Sequence, residues 1–260
     1  MSNNLQRVQA ALRESEYPAL LITSPTNRFY ATGFHSSDGV AVITPDRALF
    51  ATDFRYIEAA RAEIQGFDVV MTDRQSKYTD IIGQFCADCG INALAFESQR
   101  LTYAEFEAFR ENLTPELVPV GGFLEKLRLV KAPWELKRLR AAQEITERAF
   151  GEILKYIRES ITELDLAAEI EYRMRRSGAA GASFDTIAAS GPHSSMPHAT
   201  PTARRLAPGD CVHALNPIHG YVSADRRFRA LPVLPVRLSL CYLPRFRSVG
   251  PDRWKIRDPL

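Results

Sequence analysis

Apolar residues recur along this chain at two different periods. Leu5, Val8 and Leu12 stand at i, i+3 and i+7, the spacing of one helical face, which predicts an amphipathic helix over residues 5–15. Ala19-Leu20-Leu21-Ile22-Thr23 reads as a short apolar strand, closed by the turn cluster Ser24-Pro25-Thr26-Asn27. Residues 39–43 and 48–51 are expected as strands joined by the turn Thr44-Pro45-Asp46-Arg47. Asp53 then opens a helix carrying Tyr56, Ile57, Ala60 and Ile64. Strands at 68–71 and 93–96 flank a further helix that holds Cys86 and Cys89. Thr102 with Glu105 three residues on is a capping box for a helix reaching Asn112. Strands alternating with helices predict an α/β domain ending near residue 125.

The second half has a different texture. Pro133 opens one long helix to Ile157, with Leu139, Ala142, Ile145, Ala149 and Ile153 on a stripe. Thr162, with Asp165 three on, caps another, whose inner face carries Leu166, Ile170 and Met174 and which runs to Gly178. From residue 183 the pattern turns to strand, first through Ala189 and, after a turn at Ala207-Pro208-Gly209-Asp210, again at Cys211-Val212.

Composition adds little until charge is placed along the chain. The 260 residues are 45% hydrophobic and 25% charged, which excludes intrinsic disorder for the body of the chain. The net charge is +2, yet residues 226–260 hold nine cations against Asp252 and Asp258. The first 225 residues are therefore acidic, at −5, and the tail basic, at +7. That tail has prolines at 232, 235, 244, 251 and 259 and contains no Glu, Gln, Asn, Thr, Met or His. Proline denies the backbone donor twice in four residues at Leu231–Val236, so the tail is expected to be non-native or disordered. Its arginines alternate with proline and leucine and form no face, so no nucleic-acid partner is expected.

The four cysteines do not make a disulfide framework, and Cys86 with Cys89 is a lone C-x-x-C read as two helix-face thiols. With no basic, apolar leader at Met1 and no long apolar run, the expectation is a cytoplasmic chain with no membrane partner.

Three stretches resemble one family, the creatinase, aminopeptidase P and prolidase group of pita-bread metallopeptidases. The first is Leu21-Ile22-Thr23-Ser24-Pro25-Thr26-Asn27-Arg28-Phe29-Tyr30-Ala31-Thr32-Gly33-Phe34 followed by Phe50-Ala51-Thr52-Asp53-Phe54-Arg55-Tyr56, similar to the family's N-terminal domain. The second is Leu127-Arg128-Leu129-Val130-Lys131 with the long helix after it, which resembles the connection between domains. The third runs from Ser183-Phe184-Asp185-Thr186-Ile187 through Ser190-Gly191-Pro192 to Met196-Pro197-His198 and Pro201-Thr202, and is similar to the start of the catalytic domain. The resemblance implies an α/β creatinase-type N-terminal domain over residues 1–126. An incomplete α+β pita-bread catalytic domain over 127–225 and the tail 226–260 would follow it.

The resemblance further implies Xaa-Pro peptidase chemistry, in which two divalent ions, manganese in many members, hold a bridging hydroxide that attacks the bond before proline. It implies proline-containing peptides as partners and a homodimer. His198 matches the family histidine that lies outside the metal shell, binds substrate and assists proton transfer, a task that suits an imidazole near neutral pH. His193 reads as a solvated loop residue, and Asp210 as part of a turn.

Beyond this point the wording departs. The strand that should carry an Asp-Phe-Gly motif reads Cys211-Val212-His213-Ala214-Leu215-Asn216-Pro217, without an aspartate. His219-Gly220-Tyr221-Val222-Ser223 resumes the family pattern, and Asp225 then stands one residue from where the second metal aspartate is expected. No histidine follows His219 and no glutamate follows Glu171. A dinuclear set therefore does not assemble. His213 and His219, six apart, are too distant for a metal site of their own. A chain truncated or frame-disturbed after about residue 212, and again near residue 224, accounts for this. The reading is an Xaa-Pro metallopeptidase by lineage, inactive as it stands. The alternatives are a non-catalytic dimerisation or peptide-binding member and a creatinase-like amidinohydrolase.

Overall fold

A computed structural model of the chain describes residues 4–182, 184–215, 218–219 and 238–240. It divides between Lys131 and Ala132 into two compact units.

The first unit runs α1 (Leu5–Arg13), β1 (Leu20–Ile22), α2 (Pro25–Thr32), β2 (Val40–Ile43), β3 (Ala48–Thr52), α3 (Ile57–Glu63), β4 (Asp68–Met71), α4 (Tyr78–Asp88), β5 (Ala93–Glu97), α5 (Tyr103–Asn112), β6 (Glu116–Val120) and α6 (Phe123–Leu129). Its strands form one six-stranded mixed sheet in the order β4-β3-β2-β1-β5-β6. The β1–β2 and β2–β3 pairs are antiparallel, and the others are parallel.

The two-residue strand period sends neighbouring side chains to opposite faces. Leu20, Ile22, Ala41, Ile43 and Phe50 pack with Leu5, Val8 and Leu12 of α1, Ala60 of α3 and Leu124 of α6. Leu21, Val40, Val42, Leu49 and Ala51 pack instead with Ile82, Phe85 and Cys86 of α4. Both faces are covered, which explains why the central strands read as unbroken apolar runs and not as alternating ones. Leu20, Leu21 and Ile22 are each fully buried, worth about 1.5–3 kcal/mol apiece relative to exposure.

The turn cluster expected at residues 24–27 is instead the start of α2. Ser24 Oγ accepts from the Asn27 amide at 3.2 Å, and Pro25 occupies the first helical position, where its missing donor costs nothing. Gly33 ends the helix at φ 73°, a left-handed conformation that glycine adopts without strain. Helix α6 belongs to this unit, since Leu124 is part of its core and Arg128 donates to Asn27 Oδ1 at 3.0 Å.

The second unit contains α7 (Pro133–Tyr156), α8 (Glu163–Arg176), β7 (Gly181–Ala182), β8 (Ile187–Ser190), a 3-10 turn at Gly191–Ser195, β9 (Val212–Leu215), β10 (Ile218–His219) and β11 (Leu238–Leu240). The order β11-β9-β8 makes one antiparallel sheet, and β10 with β7 another. Ile145, Ala149 and Ile153 of α7 and Leu166, Ile170 and Met174 of α8 pack on Ala188, Val212 and Ala214 of the first of these sheets. Ile187 and Ala189 point to its other face, where Ala199 covers them. The capping box at Thr162 forms as expected, the Thr162 amide donating to Asp165 Oδ2 at 2.8 Å and Thr162 Oγ1 accepting from the Asp165 amide at 3.0 Å. In the tail, the Leu-Ser-Leu run between Pro235 and Pro244 is β11, paired antiparallel with β9.

Candidate functional site

The loop that carries His198 starts at the end of β8 and returns at Thr202. Its anchor is Glu163, the first residue of α8. Glu163 stands on the same helical stripe as Leu166, Ile170 and Met174, so the packing that buries those side chains also buries its carboxylate. The carboxylate has no exposure and accepts from the Ser190 amide at 2.6 Å and Ser190 Oγ at 2.8 Å. It also accepts from the Thr202 amide at 3.0 Å and Thr202 Oγ1 at 2.7 Å. Both stems of the loop are therefore tied to one buried group.

Burial alone pushes the Glu163 carboxyl up, but the hydroxyl and amide donors of Thr202 and Ser190 outweigh it and hold the group below the usual carboxylate range. An ionised carboxylate in such a place requires these donors, since an unpaired buried charge is strongly unfavourable.

Arg204 continues the network. Its guanidinium donates to Ser190 Oγ and forms a bidentate pair with Asp210 at 2.7 and 2.9 Å. Asp210 also accepts from the Ala207 amide at 2.8 Å, so it belongs to the turn, as expected. The hydrogen bond from Arg204 holds Asp210 below its ordinary value. Gly191 has φ 55°, and a Cβ there would sit 2.5 Å from Arg204 Nη2 and 2.6 Å from Asp210 Oδ1. The loop entrance thus packs backbone directly on this ion pair, which excludes any side chain.

His198 sits at the exposed turn of the loop, between Pro197 and buried Ala199. The Met196 amide donates to the His193 carbonyl at 3.1 Å and the Ala199 amide to the Met196 carbonyl at 3.3 Å, so the turn is held from both sides. His193 is not the solvated loop residue that its turn setting suggested. Its Nδ1 lies 3.0 Å from Glu163 Oε2 and 3.2 Å from Oε1, and its side chain is only 20% exposed. The physical reason is the 3-10 turn, which folds the ring back over the buried carboxylate.

His213 lies on β9 opposite Ala189, on the sheet face away from α8, and is buried. His219 lies on β10, in a different sheet. The two do not share a strand. Asp225 lies outside the described residues. Among the described residues, no three His, Cys, Asp or Glu side chains form a group able to hold a metal ion. The carboxylates near the loop are occupied: Glu163 by its four Ser and Thr donors, Asp210 by Arg204, and Glu171 by Thr186 Oγ1 at 2.6 Å. The described residues thus do not fit a dinuclear centre.

A second buried carboxylate organises the first unit. Glu97, at the end of β5, accepts from the Thr23 amide at 2.7 Å, the Ser24 amide at 2.9 Å and Asn27 Nδ2 at 2.6 Å. Asn27 Nδ2 also donates to Glu125 Oε1 at 3.0 Å. Residues of the Ser24–Arg28 stretch thus support the fold. Sequence reasoning passed over Glu163, Arg204 and Glu97. The signal available for Glu163 was a carboxylate on the apolar stripe of its helix.

Residues 4–130 match the model of the Creatinase/Prolidase N-terminal domain, and residues 137–222 match that of metallopeptidase family M24. The Uncharacterized peptidase YqhT of Bacillus subtilis is 37% identical over 209 residues, covering 80% of this chain and 59% of that protein. A putative Xaa-Pro aminopeptidase of Mycoplasma genitalium is 30% identical over 77% of this chain and 55% of its own length. Among solved structures, an Xaa-Pro dipeptidase from Bacillus anthracis matches with a TM-score of 0.75 at 34% identity, over 84% of this chain and 60% of that one. An X-Pro aminopeptidase from Thermotoga maritima matches with a TM-score of 0.76 at 29% identity, over 84% and 61%. The chain spans about 60% of the length of the relatives it matches. With both family models in sequence order and both units of the fold reproduced in these relatives, the chain belongs to metallopeptidase family M24, in the Xaa-Pro peptidase and prolidase lineage, as a creatinase-type N-terminal domain followed by part of the pita-bread peptidase domain.

Proposed function

We propose that this chain recognises peptides with proline in the second position, with His198 as the residue that contacts the peptide, and that it does not hydrolyse them as it stands. The observation that carries the reading is an exposed histidine on a turn whose two stems are fixed to one buried carboxylate. A residue that only filled space would not need so rigid a mount. An exposed imidazole can donate to, or accept from, the groups beside a prolyl bond, whose tertiary amide offers an acceptor and no donor.

The lineage performs its hydrolysis with two divalent ions, and manganese is the expected one here. The strand Cys211–Leu215 brings no carboxylate, and Glu163, Asp210 and Glu171 near the loop are held by protein donors. No step of that reaction is therefore assigned to residues of this chain. A homodimer and a cytoplasmic location are part of the same proposal, and among the described residues no helix is long and apolar enough to cross a membrane.

Titration calorimetry with Ala-Pro and with Ala-Ala, on the chain and on His198→Ala, tests the reading. Binding of Ala-Pro that is weakened at least tenfold by the substitution supports it. Equal affinity of the chain and the variant would sink it.

A further inference from the structure

We propose that Glu163 and His193 form a carboxylate–imidazole clamp that sets the position of His198, which makes both of them positioning residues for its peptide contact. The inference rests on the role given to His198 above.

The argument begins with the acceptor capacity of Glu163. A carboxylate offers about four lone-pair sites. The amides and hydroxyls of Ser190 and Thr202 already supply donors for them, at 2.6–3.0 Å. Tying down the stems of the loop therefore does not call for His193. Yet the imidazole leaves solvent to place Nδ1 within 3.2 Å of both carboxylate oxygens. What it adds is a tie to the middle of the loop, five positions before His198 and through a backbone bond from Met196 to the His193 carbonyl.

The same contact fixes the ring. With Nδ1 facing an acceptor-only group, its proton must reside on Nδ1, which leaves Nε2 as the open edge. A buried carboxylate that orients an imidazole through Nδ1 is the arrangement by which proteins set both tautomer and ring plane. Gly191 and the Arg204–Asp210 pair close the base of the clamp, so the loop cannot relax at its entrance. The charged groups facing the carboxylate are His193 and, through Ser190 Oγ, Arg204 with Asp210.

Nitrogen-15 NMR of the imidazoles, with His193→Ala and His193→Asn, tests the clamp. Asparagine can still donate to Glu163 but carries no ring. The expected result is an Nδ1–H tautomer for neutral His193 in the wild-type chain. The His198 ring signals should shift or broaden in His193→Ala and return toward wild type in His193→Asn, with Ala-Pro affinity falling about tenfold in the first and recovering in the second. An Nε2–H tautomer at His193, or His198 signals indifferent to His193→Ala, would overturn the clamp. If the ring signals behave as expected but the wild-type chain does not bind Ala-Pro, the clamp stands and the peptide-binding reading fails.

Discussion

Nδ1 of His193 lies 3.0 Å from Oε2 of Glu163, a carboxylate wholly removed from solvent at the first turn of α8. That contact joins the loop to the core beneath it, and the Thr202 and Ser190 donors that hold the same carboxylate ionised make the second unit sensitive to acid. Glu163 and Asp210 both titrate below their ordinary ranges in the folded chain. Their contribution to stability is therefore present above the unfolded values, near pH 4, and is lost as pH falls through the folded ones. Urea midpoints of the second unit should drop steeply below about pH 4. The drop should be shallower in Asp210→Asn, which has no carboxylate to protonate; an identical profile would contradict the assignment.

In the first unit the bridge between Glu97 and Glu125 runs through the amide of Asn27, at 2.6 and 3.0 Å. Asn27→Asp would replace that donor by a third carboxylate in a buried setting. We expect a loss of about 2–3 kcal/mol at neutral pH, the size of an unmet buried donor-acceptor pair, with partial recovery toward pH 5 as the new group takes up a proton. Asn27→Ala should lose a similar amount without the recovery. Denaturant unfolding at the two pH values separates the two.

The C-x-x-C pair should behave as two independent thiols. Cys86 is fully buried in the core beside Ile82 and Phe85, and burial pushes its thiol up to about 11. Cys89 closes the same helix at partial exposure, with Arg47 Nη1 3.7 Å from its sulfur. Iodoacetamide should label Cys89 in the native chain and leave Cys86 unmodified until unfolding. Labelling of both at one rate would show that α4 opens locally.

Much of the fold was legible because its signals are local. The stripe Ile145, Ala149 and Ile153, the boxes Thr102–Glu105 and Thr162–Asp165, and the apolar run at Leu20–Ile22 each specify an element from within a few residues. The start of α2 was misread because Ser-Pro and Asn serve turns and helix N-termini alike, and only the later Gly33 distinguishes them. The candidate site was harder. His198 came from a resemblance, whereas the Glu163 clamp depends on residues 27–39 positions apart that only the tertiary fold brings together.

The departures after Val212 belong to the sequence itself. If the reading frame is disturbed near residues 213 and 224, translating the coding DNA in the shifted frames should restore an Asp-Phe-Gly stretch and a glycine-rich motif with histidine. Shifted frames that yield neither would end that explanation and leave the sequence as a genuine variation on the family.

The most direct test of the account is metal content and Xaa-Pro hydrolysis measured together on the purified chain with manganese supplied. The account predicts neither stoichiometric metal nor cleavage before proline. Two ions per chain with proline-specific turnover would contradict it, and would mean that residues such as Asp225 complete a centre that the described residues do not form.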